Sequence, residues 1–256
     1  MPTLTLLRNA TLLLAYEGGP TLLVDPMLAE PGAAPPVPMT LPARRNPLTP
    51  LAMPAVDAVA AADVVLATHL HNDHFDTVAR GGAIPRETRI LCQPPDAGAL
   101  RGDGFTQVEP VDERATVGVV EVERVVAHHA LDPQVAGRLG PGSGYVLRAP
   151  GEPTVYVAGD CVWCDDMAAT LDRARPDVVV LNGGAARFRD GGHITMTATD
   201  VIAAARHAPD ARVVVVHLEA LNHCPMTRDE LRRHTAAADL ADRVHIPLDG
   251  EELALA

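Results

Sequence analysis

Histidine and aspartate crowd into residues 68–76, THLHNDHFD, directly after the apolar run VVLA. In an extended segment, residues two apart point the same way, so His69 and His71 can bind one ion together. Asp73 and His74 then begin a turn and can face a second ion. Imidazole and carboxylate at this spacing suit Zn²⁺, Mn²⁺ or Fe, and paired hydrolytic ions lie about 3.5–4 Å apart. A helix cap would use one of these residues and would leave three histidines unexplained.

Further candidate ligands follow three later strand patterns. RVVAHHA ends with His128 and His129, TVYVAGD ends with Asp160, and VVVVHLE contains His217. Alternate residues of a strand face opposite ways, so at most one of the paired histidines points at the metals. His223 lies six residues beyond His217. It is a candidate to contact the substrate or to replace His217 as a ligand.

The elements that must position these residues are mostly short strands. Strand patterns are TLTLL, ATLLLAY, TLLVD, DVVLAT, RILCQ, VGVVEVERVVA, GYVLRA, TVYVAG, DVVVLN and RVVVVHL. Capping-box spacing from Thr197 to Asp200 predicts a helix over VIAAARHA, and Thr227 precedes a second helix, RDELRRHTAAA. Two more helices are predicted, over 73–80 and 165–173.

One segment has the composition of a long loop. Residues 31–50, PGAAPPVPMTLPARRNPLTP, contain prolines that exclude a regular hydrogen-bonded ladder. Strand patterns continue on both sides of the segment. We therefore expect a single domain that spans residues 1–256. Within it, this segment is expected to form a loop that lies over a functional site.

Composition and charge narrow the class of protein. The chain has 256 residues, is 47% hydrophobic and carries a formal charge of −12. This charge argues against nucleic acid and anionic membranes as partners. No apolar run approaches the roughly 20 residues that span a bilayer, and the N-terminus lacks the pattern of a secretory leader. Four unevenly spaced cysteines fit a reducing compartment, so we expect a soluble, cytoplasmic protein.

The motif H-x-H-x-D-H at residues 69–74 resembles that of the metallo-β-lactamase superfamily, and the order of later candidates is similar. The match runs from about residue 3 to residue 240. The segments RNATLLLAY, TLLVDP, GPGSGYVL and HLEALNHC resemble the branch that includes L-ascorbate-6-phosphate lactonase. The resemblance implies an α/β fold: an αββα four-layer sandwich of two mixed β-sheets flanked by helices, with the metal site along one edge.

The resemblance also implies a set of ligands for two divalent cations. The ligands of one ion are imidazoles, His69, His71 and His129. The ligands of the other are Asp73, His74 and His217, with Asp160 bridging the two ions. His129 is preferred to His128 because Ala130 follows it, which is similar to the His-Gly found at this point in the family.

The implied activity is that of a metal-dependent hydrolase. Two cations lower the pKa of a shared water, and the resulting hydroxide attacks a carbonyl or phosphorus centre of a small ester, lactone or phosphoester. Asp73 would orient this hydroxide. His193, in DGGHITM, and His223 are candidates to contact the substrate or to donate a proton. The sequence has no G-x-S-x-G, P-loop or G-x-G-x-x-G motif after a strand that would indicate other machinery.

Several individual residues have more than one interpretation. Asp25 either supports a ligand or starts a turn before Pro26, and Asn9 either contacts the site or shapes a turn. Glu219 either orients a ligand imidazole or lies in solvent. Cys161 and Cys164 form a C-x-x-C pair beside Asp160, without the second pair of a zinc ribbon.

Two other functions stay open besides hydrolysis. Some members of the superfamily hold iron with the same ligands for oxygen or sulfur chemistry, so an iron oxidoreductase is the main alternative. A non-catalytic metal-binding protein is the second alternative. That alternative would predict that some ligands have been lost, whereas every ligand position has a candidate, so hydrolysis is favoured. The expected partner is a small-molecule substrate, and the apolar surplus suggests a homo-oligomer.

Overall fold

Two β-sheets form the centre of the molecule. The computed structural model describes residues 1–189 and 192–255, and within them fourteen strands form two seven-stranded sheets. The strands are β1 (Thr3–Arg8), β2 (Thr11–Ala15), β3 (Thr21–Val24), β4 (Val64–Leu66), β5 (Arg89–Cys92), β6 (Gln107–Pro110), β7 (Arg114–Val117), β8 (Val120–Ala127), β9 (Gly142–Arg148), β10 (Val155–Val157), β11 (Val178–Asn182), β12 (Arg212–Val216), β13 (Val244–His245) and β14 (Glu252–Ala254).

Short helices connect many of these strands. They are α1 (Ala55–Ala60), α2 (Ala97–Gly102), α3 (Pro133–Leu139), α4 (Asp165–Ala174), α5 (Ala198–His207) and α6 (Arg228–Ala237). A π-helical segment covers Ala79–Ala83, and a 3₁₀ turn covers Pro94–Asp96. Within the described ranges, no helix combines the length and apolar character needed to cross a membrane.

The two sheets have matching topologies. The first has the order β14-β1-β2-β3-β4-β5-β6, antiparallel from β14 to β3 and parallel from β3 to β6. The second has the order β13-β12-β11-β10-β9-β8-β7, antiparallel from β7 to β10 and parallel from β10 to β13. Both sheets are therefore mixed.

Strand alternation builds three hydrophobic layers. Val178 and Val180 of β11 face the core between the sheets, whereas Val179 and Leu181 pack with helices α4, α5 and α6. On the first sheet, Leu23 and its neighbours pack against α1 and α2. The layers therefore run helix, sheet, sheet, helix, and the predicted αββα sandwich is confirmed.

Most predicted elements are present, with two corrections. The helix predicted over 73–80 does not begin at Asp73, because the Asp76 carboxylate accepts a hydrogen bond from Ala79 N (2.8 Å) and starts the helical segment after itself. The pattern VGVVEVERVVA is divided between β7 and β8 at Gly118, whose φ is +56°. The capping boxes at Thr197 and Thr227 are confirmed.

The two sheets carry the motif residues at one edge. His69, His129, Asp160 and His217 follow β4, β8, β10 and β12, respectively. In each case the strand supplies a fixed, buried end from which a short loop projects polar side chains. The sandwich therefore assembles residues that are far apart in sequence.

We predict that Gly159→Ala destabilises the fold. Gly159 has φ +66°, and a Cβ there would lie 2.6 Å from Ser143 O. The strain and the clash together should lower the free energy of unfolding by about 3 kcal/mol. Urea denaturation measures the change. Gly98→Ala in α2 is the control, because its Cβ would meet nothing within 4 Å and should leave stability unchanged or slightly raised. Equal unfolding midpoints for the two variants would contradict the prediction.

Candidate metal centre

Seven histidines and aspartates converge at the sheet edge and form the cluster called here the His/Asp cluster. Its first group contains His69, His71 and His129, and its second contains Asp73, His74, Asp160 and His217. Within each group the available ligand atoms lie within 4.8 Å of one another. The structure thus brings together every residue predicted as a metal ligand.

The first group presents three imidazoles. His69 Nε2 lies 2.9 Å from His71 Nδ1. The remaining nitrogens of these rings contact protein oxygens: His69 Nδ1 lies 3.0 Å from Thr68 Oγ1, and His71 Nε2 lies 2.9 Å from Leu139 O. Each ring therefore has one nitrogen anchored and one directed inward. Both ring nitrogens of His129 are buried and have no hydrogen-bond partner among the described residues.

The structure separates the two candidates at 128 and 129. The His128 side chain is 36% exposed, and its Nε2 lies 2.7 Å from Asp166 Oδ2 at the surface. The His129 side chain is 1% exposed, and its Nδ1 lies 3.8 Å from Asp160 Oδ2. Only His129 therefore belongs to the cluster.

The second group combines two imidazoles with two carboxylates. His74 Nε2 lies 3.2 Å from Asp160 Oδ1, and His217 Nε2 lies 3.6 Å from both Asp73 Oδ2 and Asp160 Oδ1. Despite these short distances, the Nε2 atoms of His74 and His217 have no partner with hydrogen-bond geometry among the residues that the structure describes. Nitrogen and oxygen lone pairs thus converge on a small buried space around Asp160.

His223 lies beside this group. Its Nε2 is 3.9 Å from Asp73 Oδ2, and its buried Nδ1 has no partner in the described part of the chain. His217 belongs to the second group, whereas His223 lines the adjoining cavity. The geometry therefore separates the two residues that were interchangeable in the sequence.

Asp25 orients two of the cluster histidines. Its carboxylate accepts hydrogen bonds from Thr68 N (2.8 Å) and Thr68 Oγ1 (2.7 Å), and Oδ2 lies 2.7 Å from His74 Nδ1. The Thr68 hydroxyl in turn contacts His69. One buried carboxylate therefore holds both His69 and His74 with an Nε2 atom facing inward, as carboxylates commonly do behind metal-binding histidines.

Other supporting residues were missed or interpreted differently at the sequence level. Asn182 donates a hydrogen bond to Asp160 Oδ1 (2.7 Å), and Cys224 Sγ lies 3.5 Å from His217 Nδ1. Asn9 donates to Asp73 O (2.8 Å) and so contacts the site. Glu219 instead accepts two hydrogen bonds from Arg228, at 2.9 and 2.6 Å. Position at a strand end was the available signal for Asn182, the last residue of β11.

The electrostatics divide the cluster in the same way. Burial lowers the pKa of His69 well below its ordinary value and lowers the pKa of His129 to about 4. Burial by itself would also lower the pKa of His74, but the Asp160 and Asp25 carboxylates raise it to about 10. Burial would raise the pKa of Asp160, yet His74 and His217 hold it well below its usual range. Burial thus disfavours the charged forms of His69 and His129, whereas the carboxylates of the second group attract positive charge.

A cavity of about 620 Å³ opens onto the cluster. His71, Asn72, Asp73, Asp160 and His223 lie on its polar side. The loop of residues 31–50 contributes Ala33, Ala34, Pro35, Pro36, Val37, Pro38, Met39 and Asn46 to the lining. The loop therefore lines the cavity that opens onto the predicted ligands, as its expected position requires.

His193 and the cysteine pair lie elsewhere. The His193 ring nitrogen Nδ1 lies 3.1 Å from Ala185 O, and the side chain lines a separate cavity with Trp163. The structure does not bring His193 to the His/Asp cluster. Cys161 is buried and lies within hydrogen-bonding distance of His128 N (3.4 Å), whereas Cys164 borders a third cavity. Both cysteines are free.

Comparison with known proteins gives the family. A family model described as a beta-lactamase superfamily domain matches residues 21–218. The chain is also 32% identical over 252 residues to the UPF0173 protein YddR of Bacillus subtilis, covering 97% of this chain and 98% of that one. The chain belongs to the UPF0173 family of the beta-lactamase superfamily.

Relatives of this UPF0173 protein carry names that refer to hydrolysis. A UPF0173 metal-dependent hydrolase of Rubrobacter xylanophilus is 28% identical over 260 residues. The match covers 98% of this chain and 95% of the length of that relative. The crystal structure of an isothiocyanate hydrolase from Delia radicum gut bacteria superposes with a TM-score of 0.93 at 35% identity, covering 98% of both chains. A possible metal-dependent hydrolase from Veillonella parvula gives 0.94 at 29% identity, covering 99% of both.

We predict that Asp25→Asn lowers the affinity of the His/Asp cluster for divalent metal by about 10- to 100-fold. The amide keeps the shape of Asp25 but removes the charge that orients His74, and its NH₂ group cannot accept a hydrogen bond. Competition with a chromophoric chelator measures the affinity. Glu219→Gln is the control, because its contacts are with Arg228, and it should retain wild-type affinity. Equal affinities for Asp25→Asn and wild type would refute this role.

Proposed function

We propose that this chain is a metal-dependent hydrolase with a dinuclear centre, acting on small, uncharged substrates with an electrophilic carbon. One observation carries the proposal. In the described part of the chain, the inward nitrogens of His74, His129 and His217 are buried without hydrogen-bond partners, in one cluster with two carboxylates. Buried polar atoms are ordinarily paired, and unpaired ones need an explanation such as an ion.

The donor set fits two divalent cations. The three imidazoles of His69, His71 and His129 match a common ligand set for Zn²⁺. The second group adds two carboxylate charges, which offset the charge of a second ion, and Asp160 lies close to members of both groups. Zn²⁺ is the first candidate, and Mn²⁺ or Fe also accept imidazole and carboxylate ligands.

The chemistry divides between the ions and the chain. Bound divalent cations lower the pKa of water toward neutrality and polarise a substrate oxygen or sulfur. Asp73, which is partly exposed to the cavity, is placed to orient the attacking water and to carry its proton toward the leaving group. His223, whose Nδ1 is unpaired in the described structure, is placed to hold the substrate. The loop of residues 31–50 forms part of the cavity wall beside these groups.

The cavity favours uncharged substrates. The chain contains no lysine, and no arginine lines the cavity within the described residues. A phosphate group would therefore find no side-chain cation outside the His/Asp cluster. We infer that a neutral lactone or ester fits better than a sugar-phosphate lactone, although the sequence resembles the L-ascorbate-6-phosphate lactonase branch.

An isothiocyanate is the second candidate substrate. The isothiocyanate hydrolase from Delia radicum gut bacteria is 35% identical and covers 98% of this chain. Isothiocyanates present an electrophilic carbon to water, as esters do, and their alkyl or aryl groups suit an apolar wall. The same centre serves both substrate classes.

Metal analysis and a substrate panel test the proposal. Elemental analysis of protein purified without added metal should give nearly two divalent ions per chain. Hydrolysis of γ-lactones, neutral esters or isothiocyanates should be lost on chelation and restored by zinc or manganese. A single iron without hydrolysis would replace the proposal with the iron oxidoreductase, and tight metal binding without turnover of the panel would indicate a non-catalytic metal-binding protein.

We predict that His129→Ala removes one metal equivalent and lowers kcat/KM by at least about 100-fold, because an imidazole of the first group is lost. His128→Ala is the matched control, since that side chain pairs with Asp166 at the surface. It should retain both the metal content and kcat/KM. Metal-to-protein ratios and initial rates measure the two effects. The assignment would be reversed if His128→Ala lost metal and activity while His129→Ala kept wild-type values of both.

A further inference from the structure

We infer that Asn222 is a positioning residue that fixes the loop of residues 31–50 over the His/Asp cluster. The loop held in this way selects substrates with an uncharged, apolar body. This inference rests on the proposed function for the reaction at the cluster. It concerns the part of the substrate that lies away from the reacting atoms.

Asn222 is buried and forms hydrogen bonds with the loop at four positions. Its Oδ1 accepts from Val37 N (3.1 Å) and Asn46 Nδ2 (2.8 Å). Its Nδ2 donates to Thr40 Oγ1 (2.7 Å) and Pro42 O (2.8 Å). The backbone of Asn222 adds a fifth bond by donating to Asn46 Oδ1 (2.9 Å).

The chemistry of the amide explains why asparagine occupies this position. An asparagine side chain has two donor hydrogens and two acceptor lone pairs, and all four are used here. The side chain therefore replaces the ladder that prolines prevent the loop from forming. Within the described structure, the isolated bridge between Ala34 and Asn46 is the only strand-like pairing in the loop.

Asn222 also connects the loop to the reactive side of the cavity. It lies between Leu221 and His223, which both line the cavity. His223 Nε2 is 3.9 Å from Asp73 Oδ2. One short segment thus carries the anchor of the loop and a group beside the cluster, so a shift at Asn222 changes the distance between the loop and the reacting atoms.

The wall that Asn222 supports is apolar. Val37, Pro38 and Met39 from the loop line the cavity together with Phe188 and Ile194. The polar lining is concentrated around the His/Asp cluster and the two asparagines Asn46 and Asn72. A substrate therefore binds with its reactive group at the cluster and an apolar body beneath the loop.

Binding of three hydroxamic acids to the zinc-loaded protein tests this arrangement. Acetohydroxamic acid reports binding at the metal centre alone, octanohydroxamic acid adds an apolar tail, and suberic acid monohydroxamate ends a similar tail with a carboxylate. By calorimetry, the octano compound should bind wild type roughly 30-fold or more tightly than the aceto compound. The carboxylate-ended compound should lose most of this advantage, because neither lysine nor arginine lines the cavity among the described residues.

Asn222→Ala should lower the advantage of the octano compound to about threefold or less and change acetohydroxamic acid affinity by less than about twofold. In the hydrolysis assay, KM for a long-chain substrate such as γ-decalactone or phenethyl isothiocyanate should rise, with kcat for γ-butyrolactone or methyl isothiocyanate little changed. Thr40→Val removes one of the four side-chain bonds of Asn222, together with the bond from Thr40 Oγ1 to Val37 O within the loop, and provides a second variant if Asn222→Ala does not fold. It should show a smaller loss of the same kind.

Arg45→Ala is the matched control, because it removes two hydrogen bonds at the exposed base of the same loop, to Gly32 O and Ala33 O. It should keep the wild-type preference for the octano compound. Equal losses in Arg45→Ala and Asn222→Ala, or an unchanged preference in folded Asn222→Ala and Thr40→Val, would overturn the inference. Absence of hydrolysis with the expected hydroxamate pattern would overturn only the proposed function.

Discussion

The arrangement of this protein depends on a buried cluster of lone pairs that requires positive charge. Five histidines and two aspartates are held at one sheet edge, and several of their ring nitrogens lack protein partners within the described residues. Such a cluster is costly unless protons or cations occupy it, because unpaired polar atoms lose hydrogen bonds with water on burial. The pKa of His74 is raised to about 10 for the same reason. The Asp160 and Asp25 carboxylates stabilise a positive charge at this position, and a proton supplies it where a metal cation would fit.

The rigid sandwich is what makes this cluster possible. The ligands follow strands whose last residues are buried, and the hydrogen bonds around them leave little freedom. Asp25, the first residue after strand β3 ends, acts on His69 through Thr68 and on His74 directly. Asn182, at the end of β11, fixes Asp160. The orientation of the cluster therefore does not depend on a bound ion alone.

The substrate side of the cavity is built differently from the metal side. Much of its wall comes from a proline-rich loop with little secondary structure. The loop is attached through the Asn222 amide and single backbone bonds at Met39 and Leu48 rather than through a β-ladder. This construction allows the wall to change in sequence without altering the sheets. It is consistent with a common hydrolytic centre combined with variable substrate pockets within one superfamily.

The sequence by itself determined the type of chemistry, the fold class and most of the strands. Histidines two apart after a strand share one direction, and alternating apolar residues specify strands buried between layers, so local geometry carries this information. The sequence provided no physical reason to choose between His128 and His129 as the ligand, or between His217 and His223. Burial at a loop depends on residues that are distant in the chain. The sequence also did not indicate that His193 lies at another cavity, that Glu219 pairs with Arg228, or that Asn222 anchors the loop. Those roles were decided by the tertiary structure. Asn222 and the loop of residues 31–50 meet only when the two sheets pack, whereas Glu219 and Arg228, nine residues apart, meet through the conformation of the segment between β12 and α6.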